Sequence, residues 1–96
     1  MEQYQLTRKA DRDIESHYEY GIRNFGLDKA QSYILDMYER FVNLAANPVL
    51  GRSAEELSKN LRRLEYGSHV IFYLPEDNGA LIVRVLRKEM DFPQHF

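Results

Sequence analysis

The stretch LRRLEYGSHVIFYL, Leu61 to Leu74, decides the fold. Two runs with a period of two, the second rich in β-branched and aromatic residues, meet at Gly67-Ser68, a two-residue turn of the kind that joins antiparallel strands. The readings outward from it are Leu61–Tyr66 and His69–Leu74 as a hairpin. Pro75-Glu76-Asp77-Asn78-Gly79 follows as a second, looser turn, and ALIVRVLR, Ala80 to Arg87, as a third strand. That third strand is the most continuously apolar, which suits an interior strand covered on both faces.

Upstream the period changes from two to about 3.6. Ala10, Ile14, Tyr18, Ile22 and Phe25 recur at steps of four and three, predicting a helix over 8–25 with Thr7 as its N-cap. Gly26 offers the positive-φ position that ends it. A second stripe, Ala30, Ile34, Met37, Phe41, Leu44 and Ala45, predicts a helix over 28–46, stopped by Asn47-Pro48. So short a link folds the helices into an antiparallel hairpin, whose stripes are core positions. Tyr4-Gln5-Leu6 is a short extended piece, and residues 48–60 read as a connector with one helical turn at Ala54–Leu57. The order β-α-α-β-β-β makes an α+β domain, a helical hairpin packed on a small curved antiparallel sheet.

With 96 residues the chain builds one core, a single domain over 1–96. Apolar residues make up 44%, enough to exclude a disordered chain. Thirteen basic against 15 acidic residues leave a net charge of -2 and no overall basic field for nucleic acid. Cysteine is absent, which removes disulfides, thiolate metal sites and thiolate nucleophiles. No apolar run approaches the ~20 residues of a membrane span, and MEQYQLTRK lacks the apolar stretch of a signal peptide. A soluble, cytoplasmic domain that does not engage membranes is expected.

The chemistry is thin. No glycine-rich loop precedes a helix, no serine sits in a nucleophile elbow, and His17, His69 and His95 show no ligand spacing. No cofactor or metal is expected, and no catalytic set. Arginines on strands remain. Arg62 and Arg63 alternate to opposite faces. Arg84, inside IVRVL, needs an acceptor or water, because an unpaired guanidinium is costly to bury. Arg84 can tie the sheet to a carboxylate or to main-chain carbonyls, and, compatibly with that, join Arg62 in lining a concave face for an anionic or carboxylate-bearing partner. After the last strand, Arg87, Lys88 and Asp91 gather beside Met90 and Phe92, with Phe96 at the end of the sequence. These apolar residues either contact a target or fold back over the sheet.

Three pieces together resemble the ParE branch of the RelE/ParE toxin superfamily. They are ANPVLGR (46–52), LRRLEYGSHVIFY (61–73) and RVLRKEMD (84–91), in this order and spacing across nearly the whole chain. The resemblance implies a toxin of a bacterial type II toxin-antitoxin system that poisons DNA gyrase and so blocks replication. It implies neutralisation by a ParD-like antitoxin, by helix-in-groove recognition with strand addition, and no sequence-specific nucleic-acid binding by the toxin alone. Tyr18, Tyr33 and Tyr38, with Tyr20, are then the groove candidates on the hairpin, since tyrosines favour interfaces. Arg62, Arg84, Arg87, Lys88, Met90, Asp91 and Phe92 are the residues facing target or antitoxin. The RelE-like branch instead cleaves mRNA on the ribosome, with basic residues plus a C-terminal tyrosine or a histidine-carboxylate set for proton transfer. Here Arg62 and Arg84 match its basic positions, but Glu89-Met90-Asp91-Phe92 contains no tyrosine. A non-toxic interaction module on the same fold is a third reading.

Overall fold

A computed structural model describes residues 3–96; the first two positions of the expected 1–96 domain lie outside the described residues. In chain order come β1 (Gln3–Leu6), α1 (Arg8–Phe25), α2 (Leu27–Ala46), β2 (Arg52–Ser53), β3 (Arg62–Tyr66), β4 (His69–Glu76) and β5 (Gly79–Arg87). A 3₁₀ turn over Phe92–His95 follows.

The helical hairpin forms as its sequence dictates. Thr7 caps α1, its Oγ1 accepting from the Ala10 N–H at 3.0 Å. Gly26, at φ 89°, turns the chain, and its N–H still donates to the Ile22 carbonyl at 3.1 Å. Ala30, Met37, Phe41, Leu44 and Ala45 are buried along α2 as the spacing requires. Along α1 the inward face differs from the expected stripe. Ala10 and Ile14 are buried, but the line continues through His17 and Gly21, and Phe25 is largely exposed. A Cβ on Gly21 would lie 3.2 Å from the Ala30 Cβ, so the missing side chain lets the helices approach.

The sheet is five-stranded, in the order β1-β5-β4-β3-β2. The hairpins of β3, β4 and β5 are antiparallel as expected, with Tyr66 paired to His69 across Gly67-Ser68. The second turn is tighter than its sequence suggests, since Glu76 pairs Gly79 and leaves only Asp77-Asn78 between the strands. Two expectations are corrected. The sheet is mixed, because β1 runs parallel to β5 (Gln3 opposite Gly79, Leu6 opposite Ile82). The connector, whose Ala54–Leu57 turn is present with Leu57 N–H on the Ala54 carbonyl, also contributes the two-residue strand β2 against β3. Strands this short carry no signal of direction or partner in their own residues, and a long crossover leaves a parallel pairing open.

The helices cover one face of the sheet, burying Ile71, Tyr73, Ile82 and Val85 against Ile14, Met37 and Phe41. The other face has no helix. There Val70, Phe72 and Leu86 are covered by Ala54, Leu57 and Leu61 from the connector and by Met90 and Phe92 from the C-terminal segment. No helix is long and apolar enough to cross a membrane among the described residues.

Candidate functional site: a helical groove and a knotted sheet edge

Between α1 and α2, on the side away from the sheet, lies an open groove of about 530 Å³. Ile14, Tyr18, Ile34, Leu35 and Tyr38 line it, with Asp11, Glu15 and Gln31 at its polar margin. Leu35 and Val42, seven residues apart on α2, are both more than half exposed and extend the apolar strip beyond the groove. An apolar strip with a polar margin between two helices is the shape that accepts an amphipathic helix. Of the three groove candidates, Tyr18 and Tyr38 are there; Tyr33 is not. Tyr33 sits three residues after Ala30 and four before Met37, so helical periodicity turns it inward. Its hydroxyl accepts from the Ser68 N–H at 3.1 Å and lies 2.6 Å from His69 Nδ1 and 3.2 Å from the Tyr66 carbonyl, holding the β3–β4 turn against α2.

Arg62 and Arg84 do not share a face. Cross-strand pairs put Arg62 beside Tyr73, on the helix-facing side, and Arg84 beside Phe72 and Arg63 on the other. The expectation that they jointly line a concave face is therefore corrected, and the reason is one residue of parity. Arg84 is paired through two of its nitrogens, whereas Arg62 is held through Nη2 and its Nε is buried without a partner among the described residues. Arg62 Nη2 donates to the Gly51 carbonyl and, at 3.4 Å, to that of Val49. The fully buried Tyr73 hydroxyl donates to the Pro48 carbonyl at 2.7 Å and accepts from the Gly51 N–H at 2.9 Å. A Cβ on Gly51 would meet that hydroxyl at 2.7 Å, so only glycine fits. The NP, GR, Arg62 and IFY pieces of the sequence thus meet in one hydrogen-bonded knot between the end of α2 and the β3 edge.

Arg84 takes the carboxylate alternative. Its Nε and Nη2 grip both oxygens of Asp13 at 2.8 and 2.9 Å, with both side chains only 13–14% exposed. Hydrogen bonding to Asp13 raises the Arg84 pKa. Asp13 Oδ2 also accepts from the Val85 N–H at 3.0 Å. β1 pairs with β5 only as far as Ile82, so the edge beyond it lacks a strand partner. Three residues of the α1 segment substitute: Thr7 Oγ1 donates to the Val83 carbonyl at 2.7 Å, Asp13 takes the Val85 N–H, and His17 Nε2 donates to the Val85 carbonyl at 2.7 Å. The spacing of the histidines gave no sign that His17 and His69 meet; their rings lie 4.1 Å apart at the junction of the two layers.

The C-terminal candidates divide. Arg87 and Lys88 are partly exposed, in loose ion pairs with Glu89 at 3.4 Å and Glu65 at 3.8 Å, and Asp91 is exposed. Met90 and Phe92 pack on the sheet, and the Phe92 and Phe96 rings meet Phe72 edge-on at 5.1 and 5.0 Å. Among the described residues no three metal-ligating side chains cluster.

Comparison with known proteins agrees with this geometry. Residues 4–92 match the family model of the ParE toxin of the type II toxin-antitoxin system parDE. The chain is 33% identical over 89 residues to Toxin ParE1 of Mycobacterium tuberculosis, covering 92% of this chain and 91% of that protein. It is 30% identical over 95 residues to Toxin ParE1 of Caulobacter vibrioides, covering 99% and 98%. In fold it is similar to a chain from a structure described as a chromosomal ParDE TA system from P. aeruginosa. The TM-score is 0.77, with 23% identity, covering 93% of this chain and 98% of that one. With the helical hairpin, the mixed sheet and the family match in agreement, the chain belongs to the ParE toxins of type II toxin-antitoxin systems.

Proposed function

We propose that this ParE toxin works in the cytoplasm by binding protein rather than by catalysis, poisoning DNA gyrase until a ParD-like antitoxin covers it. The observation that carries the binding reading is the open apolar groove between α1 and α2, ready for a partner helix without rearrangement. Leu35, Tyr38 and Val42 present the apolar side, and Tyr18 faces them from α1. Gyrase is assigned to the other pole, where Arg87, Lys88 and Asp91 offer charge on a base made firm by Met90 and Phe92. Arg84 serves this surface indirectly, by tying β5 to α1, while Arg62 fixes the Val49–Gly51 backbone at the other end of β3. Against the RNA-cleaving alternative, Arg84 spends its charge on Asp13, and Arg62 Nη2 is turned to the Gly51 and Val49 carbonyls.

The deciding experiment runs a supercoiling and cleavage-complex assay with purified gyrase beside an mRNA cleavage assay on ribosomes. Gyrase-dependent DNA breaks that added antitoxin suppresses are the expected result. RNA cuts with no effect on gyrase overturn it. Within that assay the charge reversal Arg87→Glu/Lys88→Glu is expected to abolish poisoning in a protein that still binds the antitoxin.

A further inference from the structure

A second cavity, smaller and more enclosed, lies where the tip of the helical hairpin meets the β3–β4 turn and the end of β5. It holds about 130 Å³. Its walls are Tyr20, Phe25, Ala30 and Ile34, its floor the paired imidazoles of His17 and His69. Two cations, Lys29 and Arg87, stand among its lining residues, and no carboxylate does. Lys29 has no acidic partner within salt-bridge distance among the described residues. Arg87 lies over the Tyr20 ring at 5.7 Å and is tied only loosely to Glu89 outside the cavity. In a chain of net charge -2 this is a local electropositive pocket with apolar walls. That combination argues against a metal ion, although two imidazoles meet here, because two cations beside the site repel a dication. It favours an anion with an apolar body. The size is near that of cavities of roughly 150 Å³ that admit one benzene ring, which excludes larger ring systems.

We propose that this cavity binds a one-ring aromatic carboxylate, the ring against the edge-on Tyr20–Phe25 pair and Ile34 and the carboxylate toward Lys29 and Arg87. The ligand is either a free aromatic acid or an aromatic residue of a polypeptide with an acidic neighbour; both present the same chemistry. The proposal does not depend on gyrase being the target. An anion in the cavity also stabilises the protonated form of the adjacent imidazoles, so occupancy raises the His69 pKa from its low value.

The test titrates the isotope-labelled full chain with phenylacetate and follows amide and imidazole resonances. The expected result is a saturable shift confined to residues of the cavity, with Kd of order 1 mM as suits so small a ligand. Acetate, which lacks the ring, and phenethylamine, which reverses the charge, are expected to bind at least about tenfold more weakly. The exposed double variant Lys29→Gln/Arg87→Gln, checked for an unchanged fold by its spectrum, is expected to lose a similar factor. Tighter binding of acetyl-Phe-Asp-amide than of phenylacetate supports the polypeptide source, and weaker binding supports a free acid. No saturable shift, or equal binding of phenethylamine and phenylacetate, overturns the proposal.

Discussion

Removing one oxygen from Tyr73 strands two main-chain groups at once. Its hydroxyl serves both the Pro48 carbonyl and the Gly51 N–H in a fully buried setting. Tyr73→Phe is therefore expected to cost about 2 kcal/mol, the usual penalty for unsatisfied buried groups. Denaturant unfolding with an unchanged m-value would register it; a loss near zero would mean water replaces the hydroxyl. Asp13 is the second such residue. Asp13→Ala leaves a nearly buried guanidinium unpaired and frees the Val85 N–H, so about 3 kcal/mol is expected. The double replacement Asp13→Leu/Arg84→Met is expected to be milder than Asp13→Ala alone, because it removes the stranded charge. That Arg84 needs a partner was legible from its place inside IVRVL. That the partner is Asp13, 71 residues away, was not, because no local pattern encodes it.

At the scale of elements, the two helices show what periodicity can and cannot assign. Their existence, ends and hairpin packing followed from spacing, Gly26 and Asn47-Pro48, since each is decided within a few residues. The strands of β3, β4 and β5 were equally plain. β1's direction, β2's existence and the His17–His69 contact were not, because each depends on what lies opposite in space. Tyr33 was within reach: counting from Ala30 and Met37 turns it inward, away from the groove assigned to it. The difference has a measurable form. Tyr18→Ala with Leu35→Ala, both in the groove, is expected to weaken antitoxin binding by about 2 kcal/mol or more while stability changes little. Tyr33→Phe is expected to do the reverse, loosening the β3–β4 turn and lowering stability with antitoxin affinity intact. Isothermal titration and thermal unfolding on the same variants separate the two.

For the molecule as a whole, the two tilted histidine rings in contact join the helical layer to the sheet and make that joint sensitive to acid. Burial and the neighbouring His17 and Arg87 push His69 down to about 4 from 6.5, and burial lowers His17 in the same direction. Between those values the unfolded chain binds a proton that the folded chain refuses. Stability is therefore complete above about pH 6.5, falls as pH drops toward 4, and loses nothing more from His69 below that. Unfolding at pH 7 and pH 5 should differ, and His69→Gln should shrink the difference; an equal difference in the variant rules the histidine out. The back of the sheet carries a different dependence. Deleting residues 92–96 takes two aromatic rings off Phe72 and is expected to cost roughly 3 kcal/mol at ~25 cal/mol per Å² of apolar surface uncovered. The parallel pairing of β1 with β5 reaches further, into the making of the protein. Gln3–Leu6 leave the ribosome well ahead of their partners Gly79–Ile82, which follow them across both helices and two hairpin strands. The apolar stripe of the hairpin likewise waits for β4 and β5 before it has a sheet to cover. A nascent chain with so distant a closing contact cannot finish folding this domain before β5 emerges. The fold of this ParE-family chain therefore closes only once β5 has been made.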